Sequence, residues 1–112
     1  AAAQAVEPAQ ATLAARDTEL DGRDVHEGEI MGLCNGKIKF IGNDITDIAY
    51  KAADKLFRKN EHSLITLIYG EGVSEEDADK VSERLGKKYG ADVEISTVNG
   101  GQPIYYFIIS VE

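Results

Sequence analysis

One cysteine and two histidines are the only residues of their kinds in this sequence, and nucleophilic catalysis would need the thiol, or a serine, within reach of an imidazole. Spacing gives no sign of such a pairing. Cys34 stands beside a turn dipeptide, His26 in a polar loop and His62 just before an apolar run, with no local signature joining them. Cys34 therefore reads as a small, partly buried side chain rather than a reactive thiol. Tyr69-Gly70-Glu71-Gly72-Val73-Ser74 is a second candidate. It lies between a strand and a helix N-terminus, where backbone amides and the helix dipole can hold an anion. It lacks the third glycine of a dinucleotide fingerprint and the Gly-Lys-Ser/Thr of a phosphate loop. Glu71, Glu75, Glu76 and Asp77 would also repel a phosphate, and their spacing does not repeat the alternating oxygen ligands of a calcium loop. The segment reads as a tight turn followed by a dipole-compensated first helical turn. Asn99-Gly100-Gly101-Gln102-Pro103, leading into Tyr105 and Tyr106, is a third. Consecutive glycines permit close approaches that other residues cannot make, so this stretch is either a strand-to-strand turn or a contact loop for another domain. The candidate partner or ligand contacts are thus Tyr69, Gly70, Glu71, Asn99, Gly100, Gly101, Gln102, Pro103 and Tyr105, with no catalytic or metal-ligating set among them.

The elements that position these loops follow from periodicity and turn chemistry. Residues 1–10 are Ala-rich and interrupted by Pro8, and read as a linker or frayed lead-in to a single domain over 11–112. Residues 11–16 suggest a first strand, and Asp21-Gly22 a turn with a positive-φ position. Ile30–Cys34 and Lys37–Ile41 flank Asn35-Gly36, the strongest short hairpin signal, because both turn residues accept positive φ. Asn43 and Asp44 can cap a helix whose stripe is Ile45, Ile48, Ala49, Ala52, Leu56 and Phe57. The apolar run 63–69 is a strand. Ser74 caps a second helix, with Val73 stapled onto Ala78 and a buried stripe of Ala78, Val81, Leu85 and Tyr89. Residues 92–97 alternate as a half-buried strand, and 104–111 form a nearly unbroken apolar one. The order is β-β-β-α-β-α-β-β. The fold class is α/β (α+β), a two-layer sandwich with two helices on one face of a mixed sheet, a parallel crossover joining 63–69 to 92–97 and antiparallel hairpins at either end.

Composition sets the outer bounds. The chain has 112 residues, and 20 acidic against 12 basic side chains give a formal charge of -8. Such a surface repels a phosphate backbone, so no nucleic-acid partner is expected. The lone cysteine leaves no multi-cysteine zinc or iron-sulfur site and suits a reducing compartment, so a cytoplasmic location is expected. No apolar run nears the ~20 residues of a membrane span, and the opening alanines lack the basic flank of a signal peptide.

Several segments together carry a family resemblance. They are Arg16-Asp17-Thr18 with Asp21-Gly22, Gly28-Glu29-Ile30-Met31-Gly32-Leu33 with Asn35-Gly36-Lys37-Ile38, Ile65 to Glu76, and Gly100-Gly101-Gln102-Pro103-Ile104-Tyr105-Tyr106 with Ile108 to Glu112. From about Ala11 onward the sequence resembles the C-terminal end of the bacterial dihydroxyacetone-kinase-like proteins, the ATP-binding subunits of two-component fatty acid kinases. The resemblance implies a non-catalytic lobe of a larger, DegV-like C-terminal domain, serving to dock the acyl-carrying partner subunit or to assemble with the rest of its own chain. ATP and magnesium would belong to a kinase domain absent from this sequence, leaving no cofactor here. A DegV-like fold also raises the alternative of a small-ligand domain for a fatty acid or other anion. Lipid-binding proteins of that fold carry a histidine in a glycine-rich turn, about where this sequence has Gly100-Gly101-Gln102.

Face counting adds one expectation. Leu64, Thr66 and Ile68 oppose Ile65, Leu67 and Tyr69, while Ile104, Tyr106 and Ile108 oppose Tyr105, Phe107, Ile109 and Val111, so both faces of the central strands are apolar. Two helices cover one face only. The other is expected to pack on a preceding lobe in the intact protein and to drive a twofold dimer of the isolated chain, unless residues 1–20 and the curled hairpins fold back over it.

Overall fold

The computed structural model describes residues 7–14, 17–20, 22–103 and 105–112. The elements are β1 (Glu7–Leu13), β2 (Thr18–Leu20), β3 (Arg23–Val25), β4 (Ile30–Cys34), β5 (Lys37–Gly42), α1 (Ile45–Leu56), β6 (Leu64–Tyr69), α2 (Glu75–Tyr89), β7 (Glu94–Asn99) and β8 (Tyr105–Val111). Six strands form one mixed sheet in the order β5-β4-β1-β8-β6-β7, and β2 and β3 form a separate hairpin. Among the described residues, only β6 and β7 pair in parallel. The two-layer α+β arrangement read from the sequence is the observed one.

Local signals placed most elements. Asn35 and Gly36 adopt φ of 54° and 80°, turning β4 into β5. Asp44 caps α1, its carboxylate accepting from the Thr46 amide at 3.0 Å and the Thr46 hydroxyl at 2.8 Å; that hydroxyl bond, above all, holds its pKa below the usual value. Ser74 caps α2 by accepting from the Asp77 amide at 3.1 Å, and Val73 and Ala78 are both buried in the core beside it. Gly22, at φ 75°, lies in the turn between β2 and β3, a hairpin that the order read from the sequence does not contain.

Two expectations about strands require correction. The first strand is Glu7–Leu13 rather than 11–16, so Glu7–Gln10 are not linker; Ala15 and Arg16 lie outside the described residues, as do residues 1–6. This strand is central, antiparallel to both β4 and β8. Small side chains suit that position. Ala9 and Ala11 are fully buried beneath α1, whose own Ala49, Ala52 and Ala53 meet the sheet, and alanine on both surfaces lets helix and strand approach closely. Pro8 is tolerated because pairing with β4 begins only at Ala9, so among the described residues the proline is paired with β8 alone. Alanine content that resembles a loose linker is in fact the shape of a tight layer contact.

The second correction concerns the C-terminal end. Instead of forming a hairpin with β7, β8 lies on the other side of β6, antiparallel to β6 and to β1. Because β8 returns on the far side of β6 from β7, the chain leaving β7 crosses over the end of β6. Residues 99–103 make that crossing.

The main core lies between the helices and one sheet face. It contains Ile65 and Leu67 of β6, Phe107, Ile109 and Val111 of β8, Ile48 and Leu56 of α1, and Val81 and Leu85 of α2. On the opposite face a smaller cluster of Ala14, Val25 and Ile38, with Met31, Leu33 and Ile41 packed around it, covers the β4–β5 half of the sheet. Over β8, β6 and β7 no helix covers that face among the described residues. Leu64, Thr66, Ile68, Ile108 and Ser110 are half-buried there, and Val98 is 45% exposed.

The helices are clasped to each other by polar groups at their outer edges. Arg84 reaches Asp47 at 3.2 Å and stacks 4.0 Å over the Tyr50 ring, while Lys88 at 2.6 Å and the Tyr89 hydroxyl both bind Asp54. Burial pushes Asp54 upward, but the bonds from Lys88 and Tyr89 outweigh it and hold the carboxyl below its ordinary range. Burial and the same carboxylate push the Tyr89 phenol well above its ordinary value.

Candidate functional site

Crossing the end of β6 brings the two glycine segments into contact. The Gly70 amide donates to the Tyr106 carbonyl at 2.9 Å and the Glu71 amide to the Gln102 carbonyl at 3.1 Å; in return the Gly100 and Gly101 amides donate to the Tyr69 carbonyl at 2.9 and 3.3 Å. Gln102 completes the junction. Its side-chain amide donates to the carbonyls of Ile68 at 3.1 Å and Tyr105 at 3.2 Å, so one side chain ties the end of β6 to the start of β8.

The glycines are there because the loops touch. A Cβ on Gly70 would lie 2.3 Å from the Tyr105 carbonyl oxygen and 2.6 Å from that of Gln102, closer than any carbon can approach a fixed backbone atom. At Gly72 it would meet the Tyr106 ring at 2.7 Å, and at Gly100 it would meet the Gln102 side chain at 2.2 Å and Ile68 at 2.5 Å.

Against this junction lies an open cleft of about 390 Å³, lined by Leu13, Glu71, Gly72, Gln102, Pro103, Tyr105 and Tyr106. Of the residues nominated from sequence, Glu71, Gln102, Pro103 and Tyr105 reach it. Tyr69, Gly70, Asn99, Gly100 and Gly101 stand behind as the frame: Tyr69 packs on the core, Gly70 is buried, and Asn99 pairs with Tyr69 at the last step of the β6–β7 register. Leu13, Gly72 and Tyr106 also line the cleft, and sequence reasoning does not nominate them. Leu13 ends β1, far away in sequence, and only the sheet order brings it here; its 43% exposure is unusual for a leucine in a buried strand. Simple alternation puts Tyr106 on the face of Ile108. A register irregularity opposite Ala11 and Thr12 instead pairs Ala11 with Phe107 and Thr12 with Tyr105, and Tyr106 packs with the helix-side core.

The chemistry of this cleft is limited. Among the described residues, Glu71 is its one acidic side chain, and no imidazole, thiol or ammonium lines it. The candidate nucleophile and bases lie elsewhere and apart. Cys34 is buried, its thiol facing the Ala52 carbonyl at 3.7 Å, and burial raises its pKa and disfavours the thiolate. His62 is buried against Phe57 and accepts from the Arg58 amide through Nδ1 at 2.9 Å, while His26 is exposed 4.0 Å from Asp17. Among the described residues, no group of histidine, cysteine or carboxylate side chains is placed to hold a metal ion. The cleft can bind and orient. Its described lining holds no acid, base and nucleophile set.

The family model for the FakA-like C-terminal region of fatty acid kinase matches residues 1–112. The chain belongs to that family. Among curated relatives, Protein YloV of Bacillus subtilis strain 168 is 33% identical over 111 residues, covering 99% of this chain and 20% of the relative. A Staphylococcus haemolyticus protein is 36% identical over 111 residues with the same coverages, and one from Staphylococcus epidermidis is 30% identical over 112 residues. The chain thus spans about a fifth of the length of these relatives. Its family is that of the C-terminal part of a fatty acid kinase subunit. No helix among the described residues is long and apolar enough to cross a membrane.

Proposed function

We propose that this lobe is non-catalytic and docks the acyl-carrying subunit of the fatty acid kinase, using the cleft and loop junction at the end of β6. The observation that carries the reading is the junction itself. Two loops, locked by reciprocal backbone hydrogen bonds and glycine contacts, hold open a mostly apolar cleft at the surface, and preorganisation of that kind lowers the ordering cost of binding a partner. A fatty acid carboxylate fits less well, because Glu71 is the one charged side chain among the described residues lining the cleft and would repel it. Calorimetric titration of the whole parent protein with the acyl-loaded carrier tests the reading. Deleting this lobe is expected to abolish binding while the remaining domains keep their circular dichroism; binding that survives the deletion would remove the docking role. The 112-residue chain alone is expected to show no ATP turnover.

A second role, in domain assembly, is favoured by the uncovered half of the opposite sheet face. Leu64, Ile68, Ile108 and Val98 present an apolar surface that no helix covers among the described residues. Relatives about five times the length of this chain make a preceding lobe its natural occupant in the intact protein.

A further inference from the structure

The six-stranded sheet ends in β5 on one side and in β7 on the other, and the two edges are built differently. β5 is defended against further pairing. Lys37 and Lys39 are exposed on it, a register shift breaks its ladder with β4 between Gly32 and Leu33, and the Arg23 guanidinium donates to the Lys39 carbonyl at 3.4 Å. β7 has none of these devices. Glu94, at its first position, is its one charge, it holds no lysine or proline, and it pairs with β6 through six consecutive residues without a shift. The Glu94 amide donates to the Ser63 carbonyl at 2.8 Å and the Gly100 amide to that of Tyr69 at 2.9 Å, so the even-numbered positions bond towards β6. Alternation turns the amides and carbonyls of Ile95, Thr97 and Asn99 outward, where no strand among the described residues meets them.

We propose that the β7 edge is a strand-addition site, taken in the intact protein by an extended segment from the rest of its own chain, which carries the mixed sheet on past β7. The proposal rests on the assembly role above and names the contact through which that assembly is made. The edge borders the half of the sheet that no helix covers among the described residues. Val98, 45% exposed on that face, belongs to β7 itself, so a lobe seated on the face reaches the edge as well. About four-fifths of the length of a relative such as Protein YloV lies outside this chain, enough to supply such a lobe. A second copy fits the edge less well. Arg84 and Lys88 of α2 turn to Asp47 and Asp54 of α1, and helical spacing puts the exposed Glu75, Asp79 and Glu83 on the opposite side, towards the β7 edge beneath α2. Twofold pairing of β7 with itself would bring that acidic row against its own copy. In strand addition, main-chain hydrogen bonds supply the affinity and alternate side chains fix the register.

Hydrogen exchange resolved to single amides in the full-length parent protein, with no partner subunit present, tests this. Ile95, Thr97 and Asn99 are expected to exchange within about tenfold of Ser96 and Val98, whose amides already bond to β6. An open edge would leave those three amides at least about a hundredfold faster than Ser96 and Val98, and that result would overturn the proposal. The protection is expected to be the same in dilute and in concentrated protein. Protection that appears only on concentration would assign the edge to a second copy and overturn the proposal likewise. Val98→Cys, at an exposed position on the uncovered face, reads the assembly role separately through its rate of alkylation relative to the wild-type protein. Slow alkylation with slow exchange at the three amides supports both readings. Slow alkylation with fast exchange would show a lobe on the face without strand addition, so that the assembly role stands and the present proposal falls. Fast alkylation with slow exchange would confine the contact to the edge, keeping the strand addition and removing the contact on the face. Fast alkylation with fast exchange would remove both.

Discussion

Gly70 carries more of the site than any polar residue in it. Its absent Cβ is what allows the Tyr105 and Gln102 carbonyls to close over the end of β6, and both obstructing atoms are backbone, so neither can swing aside. Gly70→Ala is expected to destabilise the chain by about 3 kcal/mol, the upper end of the usual overpacking range, and chemical denaturation would measure it. Gly86 gives the opposite expectation. It sits inside α2 with ordinary helical space, the nearest atom to a new Cβ being Ile95 Cδ1 at 3.9 Å, so Gly86→Ala is expected to stabilise by about 1 kcal/mol through helix propensity alone. Opposite signs for the same substitution would distinguish a glycine required by contact from one that is merely permitted. Equal signs would show that the loop junction is looser than its geometry.

At the scale of elements, the clasp between α1 and α2 makes pH a probe of the helical layer. Tyr89 is a phenol whose folded pKa lies above its unfolded value of about 10, so its contribution is present below about pH 10 and is lost as pH rises toward the folded value. Asp54 and Asp47 work in the reverse sense. Their folded values are lowered, Asp47 first by its bond to Lys51, so their contribution is present above the ordinary carboxylate range of about 4 and is lost as pH falls through the folded values. Urea midpoints are therefore expected to fall on both the acid and the alkaline side of a plateau. Tyr89→Phe removes the hydroxyl bond to Asp54 and is expected to cost about 1 kcal/mol at neutral pH while weakening the alkaline fall. An alkaline limb unchanged in that variant would assign it to other groups.

For the molecule as a whole, the sheet is covered unequally. Among the described residues the helices cover one face, the β2–β3 hairpin and Ala14 cover the other only over β4 and β5, and the half over β8, β6 and β7 carries Leu64, Ile68, Ile108 and Val98. The fold-back expected as an alternative from the N-terminal region is thus realised over one half of that face. The isolated chain is expected to self-associate at micromolar concentration in sedimentation velocity runs and to bind a hydrophobic dye. Val98→Lys is expected to shift it toward monomer. A chain that stays monomeric and binds no dye would show that this surface needs no partner.

What the sequence determined by itself was local. Hydrogen-bond geometry confined to a few residues made the Asn35-Gly36 turn, the Asp44 and Ser74 caps and the helical stripes legible, because each depends only on near neighbours and on periodicity. The glycine segments could be nominated for the same reason, since Gly-Gly and Gly-x-Gly announce unusual backbone wherever they occur. Tertiary structure decided the rest. The placement of β8 on the far side of β6 from β7 sent residues 99–103 across the end of β6, which alone brought Gln102 to Ile68 and Gly70 to Tyr105. The burial of Ala9 beneath α1 turned the end of an apparent linker into part of a central strand, and the order of the sheet delivered Leu13 to the cleft. Neither outcome is written in a local pattern, because strand order is set by which faces can be buried together across the whole chain, and small residues acquire their meaning only from what packs against them.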